Sequence, residues 1–331
     1  MQDIIKRLAG HQILVIGDVI LDEYVIGRAT RISREAPIPV LEHESQRLIA
    51  GGAANPAVNI SQLGGKVSQI AVVGLDTYGE QLIHVLDNQG IDTSAIHALP
   101  NRTTTVKTRI MAQMGFRFPQ QVARVDRVHR QAITDHEQAI ILTSLRDKLP
   151  QTEAVLFSDY HAGLLTVGLV HQLVAIIRAH HPAVILTADA QGELDKYRGL
   201  DLVKCNADDA QAYLGRMLTT ADDFAQAALD LHQTLALTGA MVITRGAEGA
   251  TVAVGQSVTH IPAPRVLDVY DTVGAGDTAI AVMTLALTAG ASYLQAVSLA
   301  NYASGLVVRK VGNYAPSPQE LARAVAMWDK P

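Results

Sequence analysis

Asp277 closes the segment AspThrValGlyAlaGlyAsp, residues 271–277, and the next charged residue after it is Arg309. A glycine loop that runs into an apolar helix presents first-turn N–H groups with no intrahelical partner, and such groups attract an anion. Gly274 and Gly276 let the backbone turn sharply and come close to a ligand. A carboxylate in the same place would repel a phosphate, which makes sense if its task is to take a proton. Together these residues describe phosphoryl transfer: the amides of Gly274, Ala275 and Gly276 hold the charge of the moving group while Asp277 deprotonates an acceptor hydroxyl. The plain alternative is an aspartate that caps a helix. A Walker A loop is excluded, because Gly65 and Lys66 are followed by Val67. Gly274, Gly276 and Ala279 match GxGxxA formally, but no acidic residue lies about 20 positions further on to hold a ribose.

Other segments carry supporting chemistry. Asp18 and Asp22, in GlyAspValIleLeuAsp at 17–22, follow an apolar strand and suit the hydroxyls of a polyol. GlyGlyAlaAlaAsnProAlaValAsn, 51–59, sets Gly51 and Gly52 against a ligand and opens a helix with Asn55 as cap and Pro56 at its first position; capping alone accounts for Asn55 equally well. ThrArgGlyAlaGluGly, 244–249, lays Thr244, Arg245 and Gly246 along a polyphosphate, with Gly249 in the same segment, or else is a surface turn. AsnAlaAspAsp, 206–209, offers oxygens to a hydrated magnesium ion, or else is an N-cap with first-turn acids. Lys107, Arg109, Arg124 and Asp126 either close over a ligand or form the charged face of an edge strand. The twelve histidines show no metal-ligand spacing and receive no role.

The elements that must position these groups alternate between short β-branched runs and longer helical periods, starting with IleLeuValIleGly at 13–17 and a helix near Pro56 to Leu63. Further strands are expected at 69–74, 154–159, 183–189, 201–205 and 241–245, with helices near 78–89, 135–148, 166–179 and 221–236. Near-continuous apolar strands imply a sheet covered on both faces, hence an α/β fold with a doubly wound, mostly parallel sheet whose ligands sit beyond the carboxyl ends of the strands. Two stretches break the rhythm, about 19–46 and about 103–124, and read as strands of one flap over the site. One domain, 1–331, with a lid is preferred to two independent domains.

Composition bounds the function. The 331 residues are 48% hydrophobic and 18% charged, enough for a large core. A formal net charge of -5 without a basic run argues against nucleic acid as a partner. Cys205 is the single cysteine, which fits a reducing compartment, and the N-terminal segment lacks the pattern of an export signal, so a cytoplasmic location is expected. The uncharged stretch after Asp277 is long enough to suggest a membrane span, but AlaGlyAlaSer at 289–292 divides it near 275–288 and 293–308; two buried helices explain it better.

GlyGlyAlaAlaAsn at 51–55 and AspThrValGlyAlaGlyAsp at 271–277 resemble the two signatures of the ribokinase-like, or PfkB, sugar kinases, and the resemblance extends over essentially the whole chain. IleGlyAspValIleLeuAspGluTyr, ArgIleSerArgGluAlaProIleProVal and ThrThrThrValLysThrArg look most like the branch that phosphorylates a heptose 7-phosphate at O1. The resemblance implies a Rossmann-like core with a β lid, ATP with magnesium, often a potassium-like monovalent cation, and a homodimer paired through the lids. It makes Asp277 the base and Gly274 to Gly276 the anion hole. Asp18, Asp22, Gly51, Gly52, Asn55, Lys107, Arg109, Arg124 and Asp159 fall on the sugar side. Asn206, Thr244, Arg245, Gly246, Gly249 and Asn301 fall on the nucleotide, Asp209 on magnesium through water, and Asp271 on the monovalent cation.

The chain departs from that branch at four points. AspTyrHisAlaGly, 159–163, replaces AspTyrGlyLysGly, and AspAlaGlnGly, 189–192, replaces AspProLysGly, so Ala162 and Gln191 stand where lysines would meet a substrate phosphate. Asp209 replaces the glutamate of AsnxxGlu, and HisAlaGlyLeu at 161–164 does not match the HxGH signature of a fused nucleotidylyltransferase, so no second activity is expected. A sugar kinase is the resulting expectation, on a heptose 7-phosphate or another sugar or nucleoside, with a catalytically silent sugar or nucleotide sensor as the rival.

Overall fold

The structure is a computed structural model that describes residues 1–115, 119–266 and 268–328. The strands are β1 (Gln12–Gly17), β2 (Val19–Ile32), β3 (Pro39–Gly52), β4 (Lys66–Gly74), β5 (Asp92–Leu99), β6 (Val106–Gln113) and β7 (Gln120–Arg127). They continue with β8 (Ala154–Ser158), β9 (Ile185–Asp189), β10 (Leu202–Asn206), β11 (Ala240–Thr244), β12 (Ala250–Val254) and β13 (Ser257–Ile261). The helices are α1 (Gln2–Arg7), α2 (Ala54–Gln62), α3 (Thr77–Asp87), α4 (Asp135–Lys148) and α5 (Val167–His180). After them come α6 (Ala207–Leu214), α7 (Ala221–Thr234), α8 (Ala275–Thr288), α9 (Tyr293–Val307) and α10 (Pro318–Trp328).

Nine strands form one sheet in the order β13-β12-β11-β10-β9-β8-β1-β4-β5, all running in one direction except β12, which pairs antiparallel with β11 and β13. Side chains alternate between its faces. Ile13 and Val15 of β1 join a core with α2 and α8, whereas Leu14 and Ile16 join a second core with α4 and α5. Two apolar faces on each strand require helices on both sides, which is why the strands read as continuous apolar runs. The chain lays down β1, β4 and β5 outward in one direction, then returns to β8 beside β1 and proceeds the other way. The reversal between β1 and β8 leaves a crevice at their carboxyl ends, where ligands of such sheets collect.

The four remaining strands form a separate sheet, β3-β2-β6-β7. The flap expected at about 19–46 is a hairpin of two strands of 14 residues that runs on to Gly52. The second flap segment supplies β6 and β7, although residues 116–118 of it lie outside the described residues. Strand β7 is exposed along its whole length. Three strands escape the sequence pattern: β5, a polar edge strand, and the β12–β13 hairpin, whose two-residue turn at Gly255 and Gln256 is a short signal.

The uncharged stretch is two helices, α8 and α9. Gly290, with φ of 79°, ends the first, and Ser292 with Gln295 forms a capping box on the second. Asp277 through Leu287 are all buried. Among the described residues no helix is long and apolar enough to cross a membrane.

Candidate active site

Asp277 lies in the first turn of α8, 8% exposed, with Gly274 as N-cap in the left-handed region at φ of 80°. A Cβ on Gly274 would stand 2.9 Å from the Asn55 amide nitrogen and 3.1 Å from the Asn313 side-chain oxygen; one on Gly276 would stand 3.1 Å from Lys204 Nζ. Gly274 is therefore demanded by its left-handed conformation, whereas a side chain at Gly276 would need Lys204 Nζ to yield by a few tenths of an ångström. The Ala275 N–H donates to the Thr272 carbonyl at 3.3 Å, a long bond, so this member of the expected anion hole is turned back on the loop.

Asn55 Nδ2 donates to Asp277 Oδ2 at 2.7 Å, and the Tyr160 hydroxyl donates to Oδ1. Behind Asn55, Asn59 donates to its carbonyl and side-chain oxygens at 3.0 and 3.1 Å, and Thr278 donates to Asn59 at 2.9 Å. This buried chain of amides locks α2 against α8. Asn55 is thus no helix cap: Ala53 holds the N-cap position, and Asn55 sits inside α2 with its side chain given to Asp277. The asparagine pair at i and i+4 within 51–59 was the sequence signal for Asn59, since that spacing shares one helix face. Burial pushes the Asp277 carboxyl up to about 6, with Asp189 adding to the rise, while the Tyr160 and Asn55 hydrogen bonds and Lys204 act against it. A carboxyl so placed can exchange a proton near neutral pH.

Asp189 and Lys204 were not anticipated. They are register neighbours on β9 and β10, both buried, with Lys204 Nζ 2.7 Å from each carboxylate oxygen. Asp189 ends β9 while Lys204 lies in the middle of β10, so the acid at the carboxyl end of a parallel strand was the available signal.

Asp22 forms a second cluster. Arg109 donates to its Oδ1 at 2.5 Å and lies over the Tyr24 ring, and Asn313 Nδ2 donates to Oδ2 at 2.9 Å and to the Ala50 carbonyl at 3.1 Å. Asn313 also faces Gly274, so the Asp22 and Asp277 clusters are continuous. A Cβ on Gly51 would fall 2.2 Å from Asp22 Oδ2, and Gly52 has φ of 57° with a Cβ position 2.4 Å from the Asp18 carbonyl. Gly51→Ala is therefore expected to force Asp22 off its partners and to destabilise the fold by about 1–3 kcal/mol. A urea midpoint within error of the parent would refute this.

Several expected residues are placed otherwise. Asp18 is buried and its oxygens accept the amides of Tyr160, Ala162 and Leu164 at 3.0–3.1 Å, so it organises the loop after β8 instead of facing the crevice. Burial still raises its proton affinity. Asp159 is turned to Lys196 at 2.8 Å and Tyr197 at 3.0 Å, beside a cavity of about 330 Å³ that His161 and Glu193 also line. Arg124 pairs with Asp126 on exposed β7, the charged face of an edge strand. Lys107 Nζ stands 5.6 Å from the centre of the Tyr160 ring.

On the nucleotide side, Arg245 stacks 4.1 Å from the Phe224 ring centre and pairs with Glu248, which leaves it committed to the protein. Thr244 bonds the Cys205 carbonyl at 3.3 Å. Gly246 has open space around it, whereas a Cβ on Gly249 would strike the Ile261 carbonyl at 2.1 Å. Asn301 is tied to the carbonyls of Ile261 and Pro262. Asn206 caps α6 by accepting the Asp209 amide at 2.8 Å. Asp209 accepts the Gly192 amide through Oδ1, while its Oδ2 is buried without a hydrogen-bond partner among the described residues. Asp271 accepts the amides of Val273 at 3.0 Å and Gly312 at 2.9 Å, clasping two loops.

Comparison with known proteins follows the same lines. The chain is 39% identical over 310 residues to the bifunctional protein HldE of Geobacter metallireducens, covering 93% of this chain and 61% of that protein. It is 36% identical over 327 residues to the HldE of Vibrio vulnificus, covering 98% of this chain and 66% of that one. The chain thus spans about three fifths to two thirds of the length of these relatives. Among solved structures it is similar to phosphofructokinase-2 of Escherichia coli in complex with substrates and products, with TM-score 0.77, 20% identity, and coverage of 97% of this chain and 100% of that one. It is also similar to Arabidopsis thaliana ribokinase complexed with ribose and ATP, with TM-score 0.73, 18% identity, and coverage of 96% and 99%. At those identities the likeness establishes a ribokinase-like fold. The profile of the pfkB family carbohydrate kinases matches residues 11–320, and the chain belongs to that family.

Proposed function

We propose that this chain is an ATP-dependent sugar kinase in which Asp277 accepts the proton of the acceptor hydroxyl as its oxygen attacks the γ-phosphorus of ATP, whose bond to the β,γ-bridging oxygen breaks to release ADP. The observation that carries the reading is the buried Asp277 carboxyl, fixed by two donors at the mouth of α8 and titrating near 6. A base with that proton affinity is ionised at neutral pH yet accepts a proton readily in the transition state. The positive end of α8 stabilises charge on the moving phosphoryl group. For Ala275 to take part, its N–H exchanges the long bond to Thr272 for a phosphoryl oxygen.

The sugar side of this proposal is the Asp22, Asn313 and Gly51 cluster under the lid. A heptose 7-phosphate is its preferred acceptor, supported by the HldE relatives; Ala162 and Gln191 leave room for a different sugar. The orphaned Oδ2 of Asp209 fits a water of hydrated magnesium carried in with the phosphates, which would supply charge neutralisation there. Asp271 accepts one amide on each carboxylate oxygen, and its remaining lone pairs would hold a monovalent cation without displacing either amide; no step runs through that ion. Ile32, Ile38, Met114, Val122 and Val125 are exposed apolar residues on the lid and its connections, and support its pairing with a second copy of the chain. In this reading residues 1–331 are one kinase domain with that lid.

The test is ADP formation from ATP across phosphorylated and unphosphorylated heptoses and other sugars. Turnover above the sugar-free rate with at least one acceptor is expected. Sugars or ATP that raise the melting temperature with no ADP formed would instead identify a silent sensor.

A further inference from the structure

We propose that Tyr160 is a positioning residue that holds Asp277 in one orientation and in its ionised form. The residue lies on the loop after β8, at the reversal point of the sheet. Its backbone N–H is anchored on Asp18 at 3.1 Å, and Ala162 and Leu164 donate to the same buried carboxylate. The next residue, His161, has φ of 54°, a left-handed conformation rarely taken by side-chain-bearing residues. The loop is therefore pinned on both sides of Tyr160, and the phenol reaches Asp277 Oδ1 from a fixed origin.

A phenol has one proton to give, and here it is given to Asp277. Burial and the facing carboxylates of Asp277, Asp189 and Asp22 keep the phenol protonated far above neutral pH, so it remains a donor wherever Asp277 titrates. The other groups around the pair are Lys204, committed to Asp189, and the lid residue Lys107 above the phenol ring. A donor bound to a carboxylate favours its charged form. Without it, Asp277 keeps Asn55 alone and binds its proton more tightly. A hydrogen bond to a charged group, converted at 1.36 kcal/mol per pH unit, corresponds to a midpoint rise of about one pH unit.

Infrared difference titration tests this without any substrate, with the buried carboxyl band assigned by its loss in Asp277→Asn. The parent midpoint is expected near 6 and that of Tyr160→Phe about one pH unit higher. Global replacement of tyrosine by 3-fluorotyrosine, a stronger donor of the same size, is expected to lower the midpoint and serves if the phenylalanine variant does not fold. A midpoint unmoved in both overturns the proposal.

A kinetic arm rests on Asp277 being the base. There, kcat/KM of Tyr160→Phe is expected to fall about fivefold at pH 6 and to recover above pH 8. A pH-independent loss assigns Tyr160 a structural role and overturns the proposal. A protein without turnover sinks the kinase reading while the infrared result still decides this one.

Discussion

Asp277→Asn is expected to slow phosphoryl transfer by about 10²–10⁴-fold while leaving ATP binding in place, the span associated with loss of a general base. The same substitution is expected to stabilise the protein above pH 7. The carboxyl rises from an ordinary 3.8 to about 6 on folding, so the folded chain binds this proton more tightly than the unfolded chain does. That preference favours the fold at low pH and is lost as pH climbs from about 4 through 6, leaving a penalty of at most a few kcal/mol at neutrality. An amide of the same shape carries no such penalty and keeps one acceptor for Asn55 or Tyr160. Unfolding curves at pH 5 and 8, run beside initial rates, measure both effects. A variant with the parent's rate would remove Asp277 from the reaction, and a variant destabilised at pH 8 would show that burial of the charge is not what raises its proton affinity.

The sequence made some of this site legible and hid the rest for definable reasons. The order of the central strands and their helices followed from β-branched runs and helical periods, because β1, β8, β9, β10 and β11 are buried on both faces and most of the covering helices on one. The boundary between α8 and α9 was visible in Gly290 and Ser292, a positive-φ stop followed by a cap. The identity of the α8 loop was equally clear, since few structures need two glycines and a carboxylate ahead of an uncharged helix. Partner choice was not. Asp18, Asp22 and Asp159 are all acids at or near strand ends, yet one accepts three backbone amides, one meets Arg109 and Asn313, and one pairs with Lys196. Spacing along a strand says which carboxylates reach a crevice; it does not say which amides or cations arrive there from distant parts of the chain. Asn313 shows the limit most clearly, coming from 291 residues away to join Asp22 to the α8 loop. The tyrosine in AspTyrHisAlaGly was equally mute, because nothing local tells where a phenol on a loop will point.

Lys204→Met is expected to destabilise the protein by about 3–5 kcal/mol, the largest stability loss of any single change considered, because it leaves Asp189 charged and unpaired in the interior. Both side chains are only 6% exposed, and Lys204 satisfies both oxygens of Asp189 at once. The lysine also lies against Gly276, so the pair forms the floor beneath the first turn of α8. Two consequences separate this pair from an ordinary buried bridge. Asp189 raises the proton affinity of Asp277 and Lys204 lowers it, so the unpaired acid drives Asp277 further up and moves the acid limb of activity to higher pH. Removing the acid as well, in Asp189→Leu/Lys204→Met, should restore most of the stability, since two apolar groups of similar volume need no counter-charge. It should also lower the Asp277 midpoint relative to Lys204→Met alone, because the repelling charge is gone. Urea unfolding of the parent, the single and the double variants gives the coupling directly. A single variant within about 1 kcal/mol of the parent would mean that water reaches Asp189, and the low-dielectric environment invoked for Asp277 would fall with it.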